Sequence, residues 1–133
     1  MKNKLIALAV ILGLIISFVY YKSTEKARYL NPKDIKTISF KALPSPPKVK
    51  TIDNKEDIEK IVSYINSIKY EDVKQENING WQFWIELNGK GNNSISFIGN
   101  RVHYNKKWYG IDQRVLEELQ KLYDSMDYKE EAL

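Results

Sequence analysis

Apolar and polar positions divide this chain into three patterns. Leu5–Tyr21 (LIALAVILGLIISFVYY) carries no charge for seventeen residues, and eleven of them are Leu, Ile, Val or Phe. A run of that length predicts a helix at the lower end of the ~17–25 residues that span a bilayer. Two later stretches repeat every 3.6 residues. Ile58, Ile61, Val62, Ile65 and Ile68 form one stripe, and Val115, Leu116, Leu119, Leu122, Tyr123 and Met126 form another. Each predicts an amphipathic helix packed on a core. Asp53 and Glu56 suggest a capping box for the first, and Asp112 suggests a cap for the second. Glu56/Lys60 and Glu117/Lys121 stand four apart on the solvent sides, which adds helix support.

Between these lie segments of period two, which predict strands with one buried face. Asp34–Lys41 turns Ile38 and Phe40 inward, and Lys48–Ile52 follows after the proline-rich break Leu43–Pro47. Trp81–Leu87 places Trp81, Phe83, Ile85 and Leu87 on one side, and Ser94–Ile98 does the same with Ile95 and Phe97. Arg101–Asn105 adds Val102 and Tyr104, and a short last segment, Trp108–Ile111, points Tyr109 and Ile111 inward. Turns are marked at Asn88–Asn93, at Gly99-Asn100 and at Asn105-Lys106-Lys107. The largely polar segment Lys69–Gly80, twelve residues with no clear period, makes a long loop for a compact domain, so a short element or a function is expected within it.

The expected fold is α+β: an N-terminal transmembrane helix, then a two-layer domain in which an antiparallel sheet of about five strands carries two helices on one face. Residues 1–30 would be a signal anchor and juxtamembrane segment, 31–128 an extracytoplasmic domain, and 129–133 a flexible tail. No small-x-small site follows the apolar core closely, which favours an uncleaved anchor over a removed signal peptide. The short N-terminal tail favours export of the C-terminal domain, giving a single-pass protein of the cell membrane. Ala9, Gly13 and Ser17 recur every four residues. Such a ridge lets two membrane helices approach, although these residues are common in any span.

Charge narrows the partners. The formal net charge is +4, and all of it belongs to residues 1–30, where Lys2, Lys4, Lys22, Lys26 and Arg28 stand against Glu25. The remainder is balanced, so the basicity flanks the apolar run and gives no support for nucleic acid as a partner. The chain has no cysteine. Disulfides, thiolate metal sites, a cysteine nucleophile and lipid attachment at cysteine are thereby excluded. No cofactor motif is present, and the single histidine has no second strong metal ligand at motif spacing.

With both helices on one side, the strand alternation leaves Gln82, Trp84, Glu86, Ser94, Ser96, Arg101, His103 and Asn105 on the other, joined in the last strand by either Trp108 or the pair Tyr109/Ile111, with Tyr109 and Ile111 favoured inside. A two-residue turn at Gly99-Asn100 sets Ser96 opposite His103, and a five-residue loop through Gly89–Asn93 would set Glu86 opposite Ser96. Glu86, Ser96 and His103 would then form one cross-strand row. A hydrolase triad needs the base between nucleophile and acid, whereas the serine is in the middle here. An open sheet face also lacks an oxyanion hole. No catalytic residue is assigned. Trp84, Glu86, Arg101 and His103 are the candidate binding residues, with Trp84 as the contact anchor or else packed beneath the Lys69–Gly80 loop.

The run Ile95–Ile111 (ISFIGNRVHYNKKWYGI), closed by Leu116–Tyr123 (LEELQKLY), resembles small anchored and lipoprotein-like proteins of low-GC Gram-positive bacteria. The Met1-Lys-Asn-Lys start and the apolar run are similar to the same group. This chain departs from the lipoproteins in lacking the lipid-accepting cysteine. The resemblance implies an outward-facing domain and transfers no site residues. The expected function is thus a membrane-anchored, non-catalytic binding module for an envelope protein, a peptide or cell-wall material. An immunity-type inhibitor guarding the membrane against a toxin is the alternative, and a cell-wall-active enzyme a third.

Overall fold

The computed structural model describes residues 2–26, 29–43 and 46–133, the side chains of residues 2 and 18–26 excepted. Three helices, α1 (Lys2–Lys26), α2 (Lys55–Ser67) and α3 (Arg114–Ser125), accompany eight strands. These are β1 (Ile35–Ala42), β2 (Lys48–Ile52), β3 (Glu71–Asp72), β4 (Phe83–Gly89), β5 (Asn92–Ile98), β6 (Arg101–Tyr104), β7 (Lys107–Gly110) and β8 (Glu131–Ala132). They form one antiparallel sheet in the order β3-β7-β6-β5-β4-β1-β2-β8.

The chain path explains why both later helices share a face. The β1–β2 hairpin lies toward one side of the sheet, and α2 carries the chain to β3 at the far edge. The β4–β7 meander then returns step by step to that edge, and α3 brings the chain back to β8 beside β2. Their apolar stripes meet the inward residues of the strands in one core, in which Ile38, Phe40, Ile52, Ile61, Ile85, Ile95, Phe97 and Leu119 have no exposed surface. Burying each such side chain contributes about 1.5–3 kcal/mol. Phe40 at the centre meets Tyr123 of α3 edge-on, with ring centroids 5.2 Å apart.

The expectation of about five strands is corrected to eight. Two of the additional strands, β3 and β8, are two residues long and carry no hydrophobic period. Their pairing is fixed by side chains reaching from elsewhere. The Lys69–Gly80 loop contains β3, and the Gln75 amide beyond it holds the edge of β7: Trp108 N–H donates to Gln75 Oε1 at 2.8 Å, and Gln75 Nε2 donates to the Trp108 carbonyl at 3.0 Å. The segment 129–133, expected as a flexible tail, contains β8. Tyr128 Oη donates to Asp57 at 2.8 Å, Tyr123 Oη donates to Glu130 at 3.3 Å, and the Leu133 amide donates to the Pro47 carbonyl.

A second correction concerns the N-terminus. Among the described residues, no helix is long and apolar enough to cross a membrane. The side chains of α1 are described over residues 3–17, which take in Leu5–Ser17 of the expected span. The rest of the expected span, including Tyr20 and Tyr21, lies outside the described side chains. The transmembrane anchor over Leu5–Tyr21, the cell-membrane placement and the extracytoplasmic domain that rested on it are therefore set aside. Within α1, Ser17 Oγ donates to the Gly13 carbonyl at 2.9 Å, so the last residue of the Ala9–Gly13–Ser17 ridge bonds to its own helix.

Helix starts differ in detail from expectation. Asn54, not Asp53, caps α2, its Oδ1 accepting from the amides of Glu56 and Asp57 at 2.9 and 3.4 Å. Asp112 does hold the first turn before α3, accepting from the Arg114 amide at 2.9 Å. On β2 the core-facing row includes Lys50, which is 7% exposed. Its Nζ donates to the carbonyls of Tyr123 and Met126, each at 2.9 Å, and sits 4.4 Å from the Tyr123 ring centre. A cation there adds a charged donor to carbonyls at the C-terminal end of α3, where the helix dipole favours positive charge.

Candidate functional site

The face of the sheet opposite the helices is built by strict alternation. Ile85 and Leu87 of β4 point into the core, so Trp84 and Glu86 point away; Ile95 and Phe97 of β5 do the same for Ser94 and Ser96, and Val102 and Tyr104 of β6 for Arg101 and His103. In β7, Tyr109 is buried and Trp108 lies on the open side. Cross-strand pairing then aligns Lys41, Trp84, Ser96, His103 and Trp108 in one row over five strands.

This register differs from the expected one. Ser96 does stand opposite His103, but Glu86 stands opposite Ser94, and Trp84 takes the place beside Ser96. The connection between β4 and β5 is shorter than five residues, since Asn88 pairs with Asn92. Gly89, where β4 ends, lies against the Asp34 and Ile35 backbone, and a Cβ there would run into the Asp34 carbonyl. Glu86, Ser96 and His103 therefore do not form a row, and the Glu86 carboxylate is engaged elsewhere.

That engagement is with Lys41. Lys41 Nζ lies 2.7 Å from Glu86 Oε1 and 4.2 Å from the centre of the Trp84 ring. The lysine side chain is 15% exposed and the glutamate 33%. A pair this open contributes on the order of 1 kcal/mol, and its larger effect is to cancel the charge beside the indole. Trp84 Nε1 donates to Ser94 Oγ at 2.9 Å, which fixes the ring's orientation. The chain bends at Gln82, and Trp81, expected among the inward residues, meets Trp84 edge-on with centroids 5.7 Å apart. Gln82 holds that bend by accepting from the Gly99 amide at 2.6 Å. At the other end of the row the His103 and Trp108 rings lie 4.9 Å apart, tilted by 55°.

Of the four expected binding residues, Trp84 and Glu86 are brought together through Lys41, and His103 shares the row of Trp84 through Ser96. Arg101 stands apart. Its guanidinium donates to the neighbouring Asn100 carbonyl at 3.2 Å and reaches across the side-chain-free Gly110, over which Val73 also folds. Gly80 packs near Ile98 on the same side. The segment from Val73 to Gly80, linking the far edge to β4, thus bounds one end of the open face. Asn105 lies in the β6–β7 turn, where it and Lys106 adopt positive φ (51° and 64°), as a tight type I′ hairpin requires.

Sequence reasoning missed Lys41 and Trp81 as members of this site and left Trp108 as one of two choices. The signal for Lys41 is its alternation with Ile38 and Phe40, but only the pairing of β1 with β4, 45 residues away, seats it over Trp84. Hollows of about 230–270 Å³ lie elsewhere, beside Lys55, under Tyr29 and between Pro46 and Tyr123. None of those three is lined by the tryptophans. Among the described residues, no group of three or more His, Cys, Asp or Glu is placed to hold a metal ion. No protein-family model matches the chain, and no significant match exists to a curated protein or a solved structure.

Proposed function

We propose that this protein is a non-catalytic binding module that meets its ligand with the helix-free face of the sheet, using Trp84 and Trp108 as anchors. The observation that carries this reading is the placement of the tryptophans. All three in the chain gather on one face, each only partly buried: Trp84 and Trp108 stand in a single cross-strand row, and Trp81 packs against Trp84. Tryptophan contributes large contact area at low entropic cost, which is why it dominates binding hot spots. The charge beside Trp84 is already paired, Lys41 with Glu86.

A photoreactive amino acid placed at Ser96 tests the face directly, with the same group at Lys121 on the solvent side of α3 as the reference. Irradiation of cells expressing the full chain should give adducts from position 96 that Trp84→Ala diminishes, and none from position 121. Equal adducts from both positions, or adducts from 121 alone, would overturn the reading.

A further inference from the structure

Resting on that reading, we infer that the ligand is a neutral, extended carbohydrate chain lying along the row from Trp84 to Trp108. Four observations select this chemistry. Trp84 on β4 and Trp108 on β7 are three strand steps apart, about 14–15 Å at the usual strand spacing. A single small molecule cannot bridge that distance, whereas a short oligosaccharide can.

The second observation is charge. Lys41 is neutralised by Glu86, and Arg101 lies off the row with a main-chain partner, so the path between the tryptophans carries no net charge to recruit an ionic ligand. The third is the chemistry of the floor. Between and beside the aromatic ends stand Ser39, Ser94 and Ser96, together with His103. Neither Ser96 nor His103 has a side-chain hydrogen bond among the described residues. A helix or another sheet packed here would strip water from these polar groups without replacing it, at roughly 1–3 kcal/mol for each group left unpaired. Sugar hydroxyls replace that water, and the apolar faces of sugar rings suit the partly exposed indoles.

The fourth concerns the main chain. The row crosses β4, β5 and β6, interior strands whose amides and carbonyls are already used in ladders on both sides. An extended peptide could not add to them as a strand and would have to bind through side chains alone. Carbohydrate recognition has no such need.

The test titrates the full-length protein with neutral hexasaccharides of glucose, mannose and N-acetylglucosamine, with a heparin-derived hexasaccharide as the anionic comparison. Every tryptophan reports on the face, so intrinsic fluorescence reads binding there, and calorimetry gives the affinity. At least one neutral hexasaccharide should produce a saturable fluorescence change. Its affinity should fall about tenfold or more in Trp84→Ala and in Trp108→Ala, and recover partly in the corresponding phenylalanine variants. Circular dichroism and thermal melting establish that each variant is folded. Binding of the heparin fragment alone, or no saturable binding by any probe, would overturn the carbohydrate inference. Adducts at position 96 would then still uphold the binding face, and their absence as well would sink both.

Discussion

Lys50 occupies a position that alternation reserves for an apolar residue, and it faces the core with Ile52 and Ile38. Its ammonium caps the end of α3 through the Tyr123 and Met126 carbonyls. Lys50→Met keeps the length and the apolar stem but removes the charged donor from both carbonyls, which retain only the Met126 and Tyr128 amides. The expected loss of stability is about 2–3 kcal/mol, since hydrogen bonds from a charged group are worth more than neutral ones; urea unfolding would show it as a lower midpoint. Such a residue is invisible to a reading by hydrophobic period. The pattern of Lys48–Ile52 shows a strand, but nothing within five residues says that a helix terminus 73 residues later requires a cation. Trp81 and Lys41 were obscure for a related reason, because a bend and a distant strand pairing decide what they touch.

Among the elements, the helices were the easiest to place from sequence. Ile58, Ile61, Val62 and Ile65 are buried in α2, and Val115, Leu119 and Tyr123 in α3, because a 3.6-residue period repeated over three turns leaves one way to bury the stripe. The edge strands were not legible, since distant side chains hold them: tyrosine hydroxyls around β8 and, beside β3, an amide that imitates a neighbouring strand. Gln75 pairs with both main-chain groups of Trp108, and Asn66 does the same for Leu30, accepting from its amide at 3.0 Å and donating to its carbonyl at 2.9 Å. Gln75→Glu keeps an acceptor for the Trp108 N–H but sets an oxygen against the Trp108 carbonyl. A loss of about 1–2 kcal/mol is expected at neutral pH, with amide exchange faster in β7 than in β5. Partial recovery near pH 4, where the introduced carboxyl regains a proton, would identify the lost donor as the cause.

At the scale of the whole molecule, buried tyrosines set the alkaline limit. Burial, followed by the Glu130 carboxylate, pushes the Tyr123 hydroxyl up to about 12. Tyr64, Tyr104 and Tyr128 shift the same way, with burial the leading cause in each. A folded-state value above the unfolded one near 10 means that the fold favours the protonated phenol. The stabilisation is complete below pH 10 and is lost as pH rises toward 12. Stability to denaturant should therefore be flat across pH 8–9 and decline steeply above 10, and Tyr123→Phe should make that decline shallower. A decline of unchanged slope in the phenylalanine variant would count against the assignment.

The sheet ends on each side in a strand of two exposed residues, Glu71-Asp72 at one edge and Glu131-Ala132 at the other. Anything seeking to stack there in register meets a carboxylate and a template too short to hold it. Six longer strands are in this way sealed against endless growth into fibrils, and the price of eroding either dipeptide would be solubility before activity.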